Sequence, residues 1–241
     1  MGTLYLVRHG QASFGAEDYD QLSPLGLRQS VRLGQYFRQK GLAFDAVLSG
    51  SLRRQRQTDA GIREGMGLAT SSANISDAGA PQGANAPAIA TLIWPGLNEF
   101  DSEAVIATVH PHKLKKPDTP ELYRHHFRLL RDGLTQWMNG VVSPKGMPSY
   151  REFKAGVTSA LDHVRSHCSG NVLLISSGGP IATAVGHVLG TAPETTIELN
   201  MRIHNSAITE FAFNPKRHTL LTYNTLPHLE HAEHADWITH T

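Results

Sequence analysis

Three times along this chain a short apolar run breaks off at glycine or serine and gives way to a stretch with helical periodicity. Thr3 to Val7 is rich in strand-forming residues and stops at Arg8-His9-Gly10. Ser23 then offers an N-cap with Pro24 at the first helical position, and Leu27, Val31, Gly34 and Phe37 are expected on one face before Gly41 ends the helix. Ala46 to Ser49 reads as a second buried strand, followed by a helix from about Leu52 to Gly67. A third strand, Val172 to Ser176, runs into Ser177-Gly178-Gly179-Pro180 and a small-residue helix to Gly190. Ala207 to Phe213 and Thr219 to Tyr223 read as closing strands, possible partners in an antiparallel pair. This repeat predicts an α/β fold, a three-layer α/β/α sandwich around a mostly parallel sheet.

The middle of the chain departs from the rhythm. Seventeen of the 20 residues from Ala69 to Ala88 are Ala, Gly, Ser, Thr, Asn or Pro, too little apolar volume to build a core, which predicts a mobile loop. An amphipathic helix over about Glu121 to Met138 follows, flanked by proline-rich turns. Residues 69–148 are read as an inserted cap over one edge of a single domain spanning 1–241. At 241 residues such a chain can bury a full core without disulfides or a structural metal.

Charge and cysteine content exclude several function classes. Lys plus Arg is 22 against 21 acidic residues, which lacks the dense cationic field of a nucleic-acid or polybasic membrane binder. The single cysteine, Cys168, excludes an internal disulfide framework and suits a reducing compartment; it reads as an inert packing residue at a helix end. No apolar run approaches the roughly 20 residues of a membrane span, and the opening MGTLYLVRHGQ lacks the regions of a secretory leader, so a cytoplasmic protein is expected.

The chemistry gathers at the three strand ends, where open α/β sheets bind ligands. Arg8-His9-Gly10 sets a guanidinium and an imidazole beside a glycine that lets a ligand approach the backbone. Arg53, Arg54 and Arg56 crowd the first turns of the second helix, where cations oppose the helix dipole. An anion held between them and the helix end would explain that placement, and phosphate suits it. Ser176-Ser177-Gly178-Gly179 offers backbone N–H groups for a second anion cradle.

Taken together, Leu6-Val7-Arg8-His9-Gly10-Gln11, Ser49 to Thr58, Leu97-Asn98-Glu99, Asn171 to Gly179 and Asn205 to Thr209 resemble, in order, the motifs of the histidine phosphatase superfamily, the phosphoglycerate mutase-like proteins. The resemblance spans about residues 3 to 225 and is weakest between 69 and 148. It implies a phosphohistidine formed on His9, phosphate binding by Arg8 and Arg54, and Glu99 as the acid that protonates the leaving alcohol. It implies a small phosphorylated substrate and no cofactor or metal. One position departs from the family pattern: Ser177 stands where a second site histidine is usual, and a phosphate-facing hydroxyl is the role expected of it. Hydrolysis is the favoured activity. A mutase, and a member that binds phospholigands without turnover because of Ser177, are the alternatives.

The remaining conspicuous residues have plainer readings. Arg53 and Arg56 are expected on a solvated helix face. His228, His231 and His234 recur every third residue and are expected in an exposed tail rather than at a metal. His110, His112, His125 and His126 lie in the insertion, where contact with substrate is the alternative to a plain surface role. Trp94, Trp137 and Trp237 are expected as core or interface anchors.

Overall fold

The structure is a computed structural model that describes residues 1–13, 20–68, 89–112, 114 and 119–240. The glycine- and alanine-rich loop expected over 69–88 lies outside these residues. Six strands form one sheet: β1 (Gly2–Arg8), β2 (Ala46–Ser49), β3 (Thr91–Ile93), β4 (Gly170–Ser176), β5 (Ile208–Asn214) and β6 (Arg217–Thr225). Their order is β3-β2-β4-β1-β5-β6. The first four run parallel, while β5 is antiparallel to both β1 and β6. The two closing strands therefore do form an antiparallel pair, and the sheet is mostly parallel.

Helices cover both faces. On one side α1 (Pro24–Gln39) and α2 (Arg53–Met66) enclose a core of Val7, Leu33, Phe37, Val47, Ile62 and Ile175. On the other side lie α4 (Pro120–Met138), α5 (Tyr150–His167) and α6 (Gly178–Leu189), together with the short α3 (Ser102–Ala107) and α7 (Pro193–Arg202). Leu130, Leu134 and Trp137 of α4 join Val157, Leu161 and Ile181 in that second core. Part of the stretch read as an insertion thus belongs to the main fold: β3 extends the sheet at its edge, and α4 lends three side chains to a shared core.

Local chemistry explains the helix limits. Ser23 accepts from the Gly26 N–H at 3.0 Å with Pro24 behind it, as its sequence position predicts. The α5 start is a reciprocal box in which Ser149 Oγ accepts from the Glu152 N–H at 3.3 Å and Glu152 accepts from the Ser149 N–H at 2.8 Å.

The buried face of α1 includes Gly34 and Phe37 as expected but departs from the expectation in its first half. Gly26, Gln29, Ser30, Leu33, Gly34 and Phe37 are buried, whereas Leu27 is 44% exposed. Gln29 and Ser30 tolerate burial because each is hydrogen-bonded, Ser30 Oγ to the Gly26 carbonyl at 2.8 Å and Gln29 to three partners described below. Satisfied polar groups are buried in the first half of the helix, where the hydrophobic pattern pointed to Leu27 and Val31.

Candidate active site

Parallel pairing brings the strand ends together. Arg8 is in register with Ser176, and Ser49 with Ile175, so the segments after β1, β2 and β4 emerge side by side. The His9 N–H donates to the Ser176 carbonyl at 2.9 Å, and the Gly10 N–H to Thr58 Oγ1 of α2 at 3.1 Å. Gly10 is required by close approach: a Cβ there would sit 2.4 Å from the Gly26 carbonyl oxygen at the start of α1.

The His9 ring is buried, at 3% exposure, and its two nitrogens are held by partners of opposite character. Nδ1 lies 2.7 Å from the Gly10 carbonyl oxygen, which can only accept. Nε2 lies 3.1 Å from Arg54 Nε, which can only donate. Both contacts therefore select the neutral tautomer with the proton on Nδ1 and the lone pair on Nε2. Burial, then the positive charges of Arg8 and Arg54, hold the imidazole well below its usual pKa, so it is unprotonated at neutral pH.

Arg54 occupies the first turn of α2 and is buried, while Arg53 and Arg56 are exposed as expected. Its Nη1 donates to Asp20 Oδ1 at 2.7 Å, and Asp20 Oδ2 accepts from the Arg53 N–H at 2.9 Å. Asp20 thus supplies the anion that the α2 N-terminus calls for, since Leu52 at the N-cap has no side-chain acceptor. The Arg8 side chain, half-buried, donates from Nη1 to the Ile203 carbonyl at 2.5 Å.

Ser177 is the N-cap of α6 and fully buried, but its hydroxyl does not cap the helix. Ser177 Oγ accepts from Gln55 Nε2 at 2.9 Å, leaving its own O–H to donate. The same Gln55 amide donates to the Leu97 carbonyl at 2.9 Å, and its Oε1 accepts from the Leu52 N–H at 3.2 Å. Gln55 therefore joins α2, the Leu97 turn and the start of α6.

Glu99 follows that turn and points at α6. Its carboxylate oxygens accept from the Gly179 N–H at 3.2 and 3.1 Å, and Oε1 accepts from the Phe100 N–H at 3.2 Å. A Cβ at position 179 would come within 2.3 Å of Oε1, so glycine is what admits the carboxylate. Burial raises the Glu99 pKa above the ordinary carboxyl value, against the opposing pull of the Gly179 N–H and of Arg54 and Arg8. The structure thus places a neutral histidine and a carboxyl with a raised pKa around the same two arginines.

Asp20, Gln55 and Thr58 were not anticipated from the sequence. Only Gln55 carried a local signal, its position three residues after the N-cap of α2. His228 departs from the exposed-tail reading: it is fully buried, with Nε2 2.9 Å from Ser206 Oγ, and burial drives its pKa down to about 3. Among the described residues no group of three His, Cys, Asp or Glu side chains is arranged to hold a metal ion.

A model of the histidine phosphatase superfamily (branch 1) matches residues 4–74 and 113–226. The chain belongs to this superfamily. Glu99 falls in the unmatched interval, so its assignment to the site rests on the geometry above. A broad-specificity phosphatase of Saccharomyces cerevisiae is 38% identical over 63 residues, 24% of this chain and 27% of that protein. A Hydrogenobacter thermophilus protein provisionally named phosphoserine phosphatase 2 is 25% identical over 236 residues, covering 95% of this chain and 98% of the relative. Similar solved folds include an Entamoeba histolytica phosphoserine phosphatase in complex with 3-phosphoglyceric acid, with a TM-score of 0.60 and 20% identity over 95% of this chain and 100% of that one. A phosphoglycerate mutase of Bacillus anthracis gives 0.62 and 14% over 94% of each chain. Among the described residues no helix is long and apolar enough to cross a membrane.

Proposed function

We propose that the protein is a metal-independent phosphatase that hydrolyses a small phosphate monoester through a phosphohistidine on His9. The observation that carries this reading is the tautomer of His9, whose proton is committed to the Gly10 carbonyl so that Nε2 presents its lone pair. Nε2 attacks phosphorus while the bond to the leaving alkoxide oxygen breaks, and Glu99 delivers its proton to that oxygen. In the second step the Glu99 carboxylate takes a proton from water, the water oxygen bonds to phosphorus, and the P–N bond breaks to release phosphate and neutral His9. Arg8, Arg54 and the Ser177 hydroxyl would hold the phosphoryl oxygens, in a reaction that depends mainly on positioning and charge stabilisation. An arriving phosphate would take over the Arg54 hydrogen bonds now made to Asp20 and His9. The phosphatase names of the relatives support hydrolysis, and the 3-phosphoglyceric acid in one structural neighbour supports a small phosphorylated acid as substrate. In this reading substrate selectivity is carried by residues of the 69–148 stretch outside β3 and the core face of α4.

The test is release of p-nitrophenol from p-nitrophenyl phosphate with and without EDTA, combined with acid-quench trapping of labelled enzyme. Turnover that survives EDTA, with an acid-labile phosphoenzyme, supports the assignment. Phosphate binding without release would favour the alternative in which Ser177 leaves a site that binds phospholigands only.

Arg54→Lys is expected to lower turnover by about tenfold or more, because an ammonium cannot reach His9, Asp20 and a phosphoryl oxygen with one planar fork. Arg53→Lys, at an exposed position, is expected to leave kcat/KM near wild type. A larger loss at position 53 would transfer the phosphate-binding role to the neighbouring arginine.

Ser177→His is expected to raise kcat on a generic phosphate ester by about tenfold or more, since one added donor in a preorganised site is worth roughly 10²–10³ in rate. The imidazole would have to displace the Gln55 amide from Ser177's place, so the gain is set against a lost buried hydrogen bond. Equal or lower kcat in a folded, phosphate-binding variant would show that the Gln55–Ser177 pair is the arrangement the site needs.

A further inference from the structure

We infer that the C-terminal tail, residues 230–240, is a positioning element for the His9 loop and acts on catalysis without touching the reacting atoms. The match to the family model ends at residue 226, before this segment. Gln29, fully buried in the middle of α1, accepts the Gln11 N–H on Oε1 at 2.8 Å. Its Nε2 donates to the Trp237 carbonyl at 2.6 Å and to Thr239 Oγ1 at 3.1 Å. Because a backbone N–H can only donate and a carbonyl can only accept, these partners leave the amide a single orientation. Thr239 Oγ1, having accepted from Gln29, passes its own hydrogen to Asn205 Oδ1 at 2.9 Å.

Asn205 completes the circuit on the other side of the loop. It is fully buried, its N–H donates to the Thr239 carbonyl at 2.8 Å, and its Nδ2 donates to the His9 carbonyl at 3.4 Å. The neighbouring Ser206 N–H reaches the same His9 carbonyl at 3.3 Å. Residues 237–239 therefore bridge the Gln11 side of the catalytic loop to its His9 side, through one buried amide on each flank. The ring they brace is the one whose Nδ1 and Nε2 contacts select the nucleophilic tautomer.

The tail is not held there by general packing. His228 and Leu229 are buried and anchor its start, but Glu230 to Glu233 are exposed. A cleft of about 840 Å³, lined among others by Arg32, Gln57, Glu64 and His234, opens between the tail and α1 and α2, spanned by Arg32 Nε donating to His234 Nε2 at 3.3 Å. The next contacts are at Trp237, with the Arg28 guanidinium 5.1 Å from its ring centroid, and at the Gln29 and Asn205 bonds. A segment with no buried residue between 230 and 240 that engages both flanks of one catalytic loop is placed to set that loop's position.

The test replaces one hydroxyl. Thr239→Val is nearly isosteric at a half-buried position and removes both the acceptor for Gln29 and the donor to Asn205. It is expected to lower kcat by ~10-fold with KM changed by less than about twofold, because small misplacements of a reacting group act on the transition state. Thr239→Ser, which keeps the hydroxyl, is expected to restore kcat. The His9 imidazole ¹⁵N signals should shift in the valine variant and return in the serine variant. Unchanged kcat and unchanged ring signals in Thr239→Val would overturn the inference, as would a loss that serine does not restore. The inference rests on His9 as the reacting group, yet the ring signals need no turnover. A wild-type protein without phosphatase activity would therefore sink the proposed function while the ¹⁵N comparison still decides the role of the tail.

Discussion

His9→Ala is expected to eliminate acid-labile, base-stable phosphate labelling and to lower turnover by on the order of 10³-fold or more, because the covalent route loses its nucleophile. The substitution removes a ring that is 3% exposed and engaged at both nitrogens, so no neighbouring side chain can take its place in the same geometry. Arg54 keeps its Asp20 partner, and Arg8 its bond to the Ile203 carbonyl, so phosphate binding should outlast catalysis. The measurement is acid-quench and base-quench trapping with a labelled ester, alongside inorganic phosphate binding. Labelling that persists in the alanine variant would move the phosphoenzyme to another residue and end the assignment.

Glu99→Gln is expected to cost roughly 10²–10⁴ in kcat on an alkyl phosphate, the usual worth of a positioned general acid. Glutamine keeps the shape and can still accept the Gly179 N–H through its carbonyl oxygen, so the loss isolates the proton. With p-nitrophenyl phosphate, whose leaving group departs as a stable anion, the first step needs no acid and the loss should be smaller. The pH profile supplies an independent check. Burial raises the Glu99 pKa, so the protonated acid is lost as pH rises through that elevated value. Burial and two arginines depress His9, so the nucleophile is lost only when pH falls through a value well below 6.5. Phosphoenzyme formation should therefore peak on the acidic side of neutrality, with an alkaline limb that disappears in Glu99→Gln. Equal losses on both esters, with the alkaline limb intact, would give the proton-donor role to a different group.

Much of the candidate site was legible because its residues sit badly with local structure. Arginines at a helix N-terminus, and an Arg-His pair at the end of an apolar strand, are unfavourable unless something holds them, so their positions stood out from the pattern around them. The helices with caps were equally plain: Ser23-Pro24 set the start of α1, and the run to Gly190 set the end of α6. The α5 helix, which starts at a box of Ser149 and Glu152, was not among the helices expected from the sequence.

Local chemistry by itself determined the strands that carry the motifs, the helices that follow them, and Arg8, His9 and the arginine cluster at the start of α2 as residues of interest, whereas the choice of Arg54 within that cluster and of Glu99 came from the family resemblance. Tertiary structure decided how those groups are held. Asp20 meets Arg54 across 34 residues, Gln55 meets Ser177 across 122, and Gln29 meets the tail across 208 and 210, separations over which no periodicity carries information. In α1 the long-range bonds satisfy the buried Gln29, a bond to the Gly26 carbonyl one turn back satisfies the buried Ser30, and Leu27 is left exposed. His228 shows the limit most directly: with His231 and His234 it was expected in an exposed tail, but burial against Ser206 separates it from the exposed His231. Hydrophobic period and capping act between neighbours along the chain, whereas a buried polar group takes whichever donor or acceptor folding brings within about 3 Å, and that choice exists only once the sheet has brought its strand ends together.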